Sequence, residues 1–185
     1  LSKDMLGQYS AAYRLYEVLI FIPPIFVSSL FPSIIKSNNL DSTLFEKRMS
    51  MLISLLFWLA VVISTLSFFF SELIISLTFG SEFSSANIVF KILILTMVFN
   101  SLGSVSSKYF IVKKATKIIL LKTFCSLIIN VLLNFMIIPR YGINGAAFST
   151  LFSIALGNYF FLYSSKEFTQ LKRIINRGIT FRFYG

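Results

Sequence analysis

Apolar residues in this chain come in long unbroken runs. Thr123 to Ile138 contains no charged residue, and neither does Tyr141 to Ser165. Runs of roughly 17 to 25 residues match the length an α-helix needs to cross a bilayer. The period-two alternation of an outer-membrane barrel strand is missing. The pattern predicts an all-α, polytopic helical membrane bundle of about five spans, at 9–35, 50–71, 86–112, 116–138 and 145–164. A basic tail, 165–185, follows. Between the last two spans lies Pro139-Arg140-Tyr141-Gly142-Ile143-Asn144-Gly145. Proline ends helices and glycine admits positive φ, so this stretch is expected to fold one span back on the other outside the membrane.

Composition agrees: 56% of the residues are hydrophobic and 13% charged, against about a quarter charged in soluble domains. The net charge of +10 does not point to nucleic acid, because the positive residues flank or interrupt the apolar runs, as they do in membrane loops. Lys36, Lys47 and Arg48 follow span one. Lys113, Lys114 and Lys117 follow span three. Lys166, Lys172, Arg173, Arg177 and Arg182 fill the tail. The alternate loops hold few positive residues, and Arg140 is alone in the hinge. The positive-inside rule then makes the tail cytoplasmic and the hinge external. The tail is expected to lie on the lipid surface, with Phe168, Leu171, Ile174 and Ile175 as its apolar face. With leucine in first place and no signal peptide ahead of span one, the chain is expected to be a fragment of a longer one.

Several chemistries are excluded. There is no histidine and one cysteine, Cys125, so a zinc site or histidine-based catalysis has no ligands. No nucleotide-binding glycine loop is present. Neither metal nor other cofactor is expected, and the chain does not read as an enzyme.

Polar residues inside the spans are therefore the candidate chemistry. Lys122, Ser126, Asn130 and Asn134 recur every fourth residue along one face of span four. Thr96, Asn100, Gly103, Ser104, Ser107 and Lys108 cluster in span three. Such groups line a substrate path or glue helices together. Lys122 alternatively snorkels to the near surface. Arg14 and Glu17 stand three apart in span one and can pair on one turn. Arg14 suits a phosphate, Glu17 an ion-coupling carboxylate. A structural pair at the headgroup level is the other reading. Pro23-Pro24 beyond them is expected to break or kink the helix. Gly145, Ser149, Ser153 and Gly157 give span five a small face for close helix packing.

Three stretches carry a resemblance. Gly7-Gln8-Tyr9-Ser10-Ala11-Ala12-Tyr13-Arg14, leading to Pro23 and Leu30-Phe31-Pro32, resembles the eighth helix of bacterial O-antigen (Wzx-type) polysaccharide flippases. These belong to the multidrug/oligosaccharidyl-lipid/polysaccharide exporter superfamily. Leu77-Thr78-Phe79-Gly80-Ser81-Glu82-Phe83 resembles the outer loop after helix nine. Pro139 to Ala147 resembles the loop between helices eleven and twelve. Related drug exporters and lipid II flippases share parts of these motifs. The resemblance implies helices eight to twelve of a twelve-helix, two-lobe transporter in the bacterial inner membrane, with both ends cytoplasmic. Its substrate would be an undecaprenyl-diphosphate-linked oligosaccharide, flipped by alternating access through a cationic cavity. Membrane lipids and other polysaccharide assembly proteins would be its partners. Arg14, Lys108 and Lys122 are the candidate cations, assigned by charge and depth rather than by a family motif. Asn100, Asn130 and Asn134 are the polar candidates. The competing readings are a cation-coupled drug exporter of the same superfamily, a non-transporting membrane scaffold, and a truncated gene remnant.

Overall fold

The computed structural model describes residues 2–38, 41–163 and 168–182, all within an α-helical bundle or its connections. The helices are α1 (Lys3–Ile20), α2 (Ile22–Asn38), α3 (Ser42–Phe69), α4 (Ser71–Phe79), α5 (Ala86–Val112), α6 (Thr116–Asn158) and α7 (Thr169–Ile179). Four stretches are long and apolar enough to cross a membrane: Lys3–Ile35, Ser42–Phe69, Ala86–Val112 and Thr116–Asn158. The protein is an all-α polytopic membrane bundle.

Local chemistry sets the breaks. Pro23 and Pro24 sit in the first turn of α2, where a missing N–H is one of the helix's orphans anyway. The chain therefore turns at Phe21 and resumes a helix at once. Asp41 caps α3, accepting from the Thr43 N–H at 2.7 Å and the Thr43 hydroxyl at 2.8 Å. These bonds hold its carboxyl below the ordinary aspartate range. Ser85 makes no side-chain cap for α5. Gln8 of α1 supplies one instead: its Oε1 accepts from the Ala86 N–H at 3.0 Å, while its Nε2 donates to Glu82 O at 2.7 Å. That carboxamide ties the start of α1 to the start of α5.

α6 is one helix only by hydrogen bonding. Helical backbone runs through Pro139, and the single non-helical residue is Gly142, at φ 56° and ψ −136°. That mirror-β conformation is open to glycine and strained for any side chain. The reversal is complete: Lys122 bonds Asn158, Ser126 bonds Ser153 and Gly145 lies against Ile137, so arms 116–141 and 143–158 run antiparallel. Gly142→Ala is expected to cost about 1–3 kcal/mol, read as a lower Tm in detergent, without loss of helix content elsewhere. Small residues let the arms close. A Cβ on Gly145 would lie 2.9 Å from the Ile137 side chain, and one on Gly157 2.9 Å from Ser126.

Two apolar cores stack along α5. One joins Ala11, Ala12 and Tyr16 of α1 with Val89, Phe90, Leu93, Ile94 and Met97. The other joins Phe31, Phe45, Met49, Ile53, Leu102, Val105 and Phe110 with Phe168, Leu171, Ile174 and Ile175. The second core overturns one sequence expectation. The apolar face of the tail is buried in protein: Leu171 and Ile174 are 0% exposed. It packs on α3 rather than on lipid because α3 and α5 present it a complementary groove. Ser50 donates to Ile174 O at 3.1 Å, and a Cβ on Gly178 would meet Ser50 O at 2.7 Å. At the head of α7, the Tyr109 hydroxyl donates to Gln170, whose Nε2 donates to Glu46 at 2.6 Å. Arg177 reaches the same Glu46 at 3.6 Å. Lys166 and Glu167, which the sequence placed at the start of the tail, lie outside the described residues.

Candidate functional site

Between the two cores, halfway along α5, the interior turns polar. The Thr96 hydroxyl donates to the Tyr16 phenol at 2.9 Å, and Asn100 approaches the same oxygen at 3.4 Å. Asn158, the last residue of α6, donates to Asn100 Oδ1 at 3.2 Å. Its own Oδ1 accepts from the Lys122 ammonium at 3.3 Å, and the Gly103 carbonyl stands 3.5 Å from the same nitrogen. The chain of contacts continues along the first arm of α6. Ser126 donates to Ser153 O at 2.7 Å, Asn130 to Ser153 Oγ at 3.1 Å, and Asn134 to Asn130 at 3.1 Å. An open cavity of about 500 Å³ lies beside this network. Tyr13, Asn100, Lys122, Ser126, Asn130 and Asn158 contribute to its polar wall, and among the described residues none that lines it is acidic.

Lys122 is the unusual member. It is 4% exposed, and its ammonium points inward to the level of Gly103. That level is about 14 Å from the C-terminal end of α5, at 1.5 Å per residue. The side chain therefore does not snorkel. Burying an ammonium against neutral oxygens alone costs several kcal/mol, and among the described residues no carboxylate pairs with it.

The sequence candidates divide. Asn100, Lys122 and Asn130 meet at the cavity. Asn134 lies one turn beyond, with its Oδ1 buried and unpartnered among the described residues. Lys108 turns away, its ammonium over the Phe31 ring at 5.4 Å. Arg14 and Glu17 are exposed on α1, and no ion pair joins them among the described residues. The Arg14–Glu17 pair that their spacing allows does not form. Ala11, Ala12 and Tyr16 give α1 its packing face, which leaves both charges on its outer side. Ser104 and Ser107 bond back to carbonyls of their own helix, at 2.8 Å each.

Four further residues, none of them a candidate from the sequence, contribute. Asn158 is the hub between Asn100 and Lys122, and its lone polar character in an apolar half-span was the available signal. Tyr9, Tyr13 and Tyr16 recur at helical spacing and contact one another, at 6.2 and 5.6 Å between centroids. The hub is fitted closely, because a Cβ on Gly103 would collide with the Asn158 carboxamide. Gly103→Ala is expected to expel Asn158 and cost about 1–3 kcal/mol. Gly7→Ala, where a Cβ meets nothing within 4 Å, is the control and should not lower Tm.

An open polar cavity with a buried cation thus lies inside a multi-pass helical bundle. Residues 6–182 match the model of the lipid II flippase MurJ family, and the chain belongs to that family, whose members are transporters rather than enzymes. It is 23% identical over 176 residues to a probable low-salt glycan biosynthesis flippase, Agl15, of Haloferax volcanii. That alignment takes in 93% of this chain and 37% of the relative, so the chain spans little more than a third of that protein's length. No solved structure matches it significantly.

Proposed function

We propose that this chain forms one lobe of a flippase that carries a diphosphate-linked, lipid-anchored oligosaccharide across a membrane. The Lys122 cavity would be part of the path. The observation that carries this reading is the buried ammonium in an acid-free polar cavity at mid-bundle. An anion is the ligand such a site stabilises, and a phosphate offers oxygens that Asn158 and Gly103 supply only at 3.3 and 3.5 Å. Asn100, Asn130 and Ser126 add neutral donors and acceptors suited to sugar hydroxyls. Arg14 and Glu17, exposed on α1, would face the rest of a longer protein, and Glu17 would couple an ion.

The finer reading is an O-antigen unit on undecaprenyl diphosphate, flipped in a bacterial inner membrane by five crossings that end in a cytoplasmic tail. The three motif stretches support the substrate. The crowding of Lys47, Arg48, Lys113, Lys114, Lys117 and α7 at one end of the bundle supports the orientation. A photoreactive phenylalanine analogue replacing Leu127, which lines the cavity, is expected to crosslink radiolabelled polyprenyl-diphosphate oligosaccharide in the full-length protein. The same analogue replacing Leu132, exposed outside the cavity, is not. Equal labelling at both positions, or none at Leu127, rejects the path. Labelling by lipid II but not by the O-antigen precursor rejects the finer substrate.

A further inference from the structure

The mid-bundle cavity holds an aromatic ring as well as a cation, and the two stand apart. Among the described residues Tyr13 is the aromatic side chain on its wall, beside Asn100, Ser126, Asn130 and Thr150. α1 packs on α5 through Ala11, Ala12 and Tyr16, which leaves Tyr13 41% exposed. We propose that the Tyr13 ring is a stacking platform for a neutral pyranose of the carried glycan, so that the cavity meets sugar and phosphate at separate points. This rests on the flippase reading above and assigns the sugar its place within it.

The ring is held from both sides. Tyr9 lies nearly parallel to it, at 6.2 Å between centroids and 19° between planes, and Tyr16 tilts against it at 5.6 Å and 60°. These neighbours are fixed in turn by their phenols: Tyr16 accepts from Thr96 at 2.9 Å, and Tyr9 interacts with the Thr150 hydroxyl. A ring already held in place loses little freedom when a ligand settles on it. Position separates it from the cation. Gln8 sits at Ala86 and Tyr16 at Thr96, so α1 and α5 run parallel. Tyr13 is one turn back toward Gln8, whereas the Lys122 ammonium reaches Gly103 on the far side of Asn100, about 10 Å away along the bundle. Chemistry then selects the occupant. An aromatic face is electron-rich, so it repels a phosphate and attracts the C–H bonds on the less polar face of a pyranose. The carboxamides of Asn100 and Asn130 and the Thr150 hydroxyl stand around it for the sugar's own hydroxyls.

The test is binding of two probes by the full-length protein in uncharged detergent: polyprenyl diphosphate carrying a neutral oligosaccharide, and sugar-free polyprenyl diphosphate. The native protein is expected to bind the glycosylated probe more tightly. Tyr13→Leu should weaken that probe on the order of 10-fold, the worth of one aromatic contact, and leave the sugar-free probe unchanged. Tyr13→Phe keeps the ring and should stay within about threefold of native for both, the reach of one neutral hydrogen bond. An unchanged Tm shows that the variants fold. Equal loss of both probes in Tyr13→Leu, or loss of neither, overturns the platform. So does a loss in Tyr13→Phe as large as in Tyr13→Leu, because the hydroxyl and not the ring face would then hold the sugar. If the native protein binds both probes equally, the platform alone falls. If it binds neither, the flippase reading falls with it.

Discussion

Lys122→Met in the full-length protein is expected to slow oligosaccharide flipping about 10- to 100-fold while Tm stays level or rises. The two halves of this result come from one geometry. The Lys122 ammonium is buried, and its neighbours are the Asn158 and Gly103 oxygens at 3.3 and 3.5 Å, neither of them charged. Removing a buried charge that lacks a counter-ion relieves its desolvation. Methionine keeps the length and fills the same space, so the fold has no reason to weaken. A charge-assisted hydrogen bond to a phosphate is worth about 1.5–3 kcal/mol, and its loss in transit sets the fold-change. Lys122→Arg keeps the charge but adds bulk beside Gly103 and Gly157, and should retain part of the activity. The assay is flipping by full-length protein in proteoliposomes, with Tm measured on the same preparations. Wild-type flipping by the methionine variant removes Lys122 from the path. A Tm fall of several degrees would instead make the lysine a structural residue.

Much of this architecture is legible in the chain because it rests on run length and spacing. The uncharged runs of α3 and α6 have the length a bilayer demands. The four-residue recurrence of Lys122, Ser126 and Asn130 places them on one face, and Gly145, Ser149, Ser153 and Gly157 let the other arm approach that face. Partners that sit far apart in the chain carry no such local sign. Asn158 meets Asn100 across 58 positions, and Gln8 caps α5 across 78. Charge in a membrane run reads as costly, which drew attention to Arg14 and Glu17. In the structure both lie exposed on α1 and do not pair, and spacing along one helix does not reveal which way either side chain turns. Lys108 shows the same limit: its depth was readable, but its turn toward Phe31 was not. The tail misled for a physical reason too. An apolar stripe between basic residues fits a lipid surface and a protein groove equally well, and only the shape of α3 and α5 decides between them.

The docked tail gives the second large effect. Leu171→Asp is expected to release α7 and raise its rate of tryptic cleavage at Lys172, Arg173 and Arg177 at least 100-fold in detergent micelles. Leu171 is 0% exposed within the cluster of Phe45, Met49, Ile53 and Phe110. Truncating a buried leucine costs about 2–5 kcal/mol, and an unpaired carboxylate in its place adds several more. Each 1.4 kcal/mol is tenfold in the docking equilibrium, so even the lower bound opens the helix about 30-fold, and the carboxylate carries it past 100-fold. Once released, a helix of 11 residues is too short to persist alone in water, and a melted segment is what the protease cuts. Arg173→Gln, on the outward face, should leave the remaining sites protected. Circular dichroism should show that the spanning helices of the Asp variant stay intact. Detergent is the discriminating medium because it contains no bilayer: a tail held by lipid would be cut rapidly in the native chain as well. Equal cleavage of the native chain and of the Leu171→Asp variant would therefore return α7 to the lipid surface and remove the packed groove on α3.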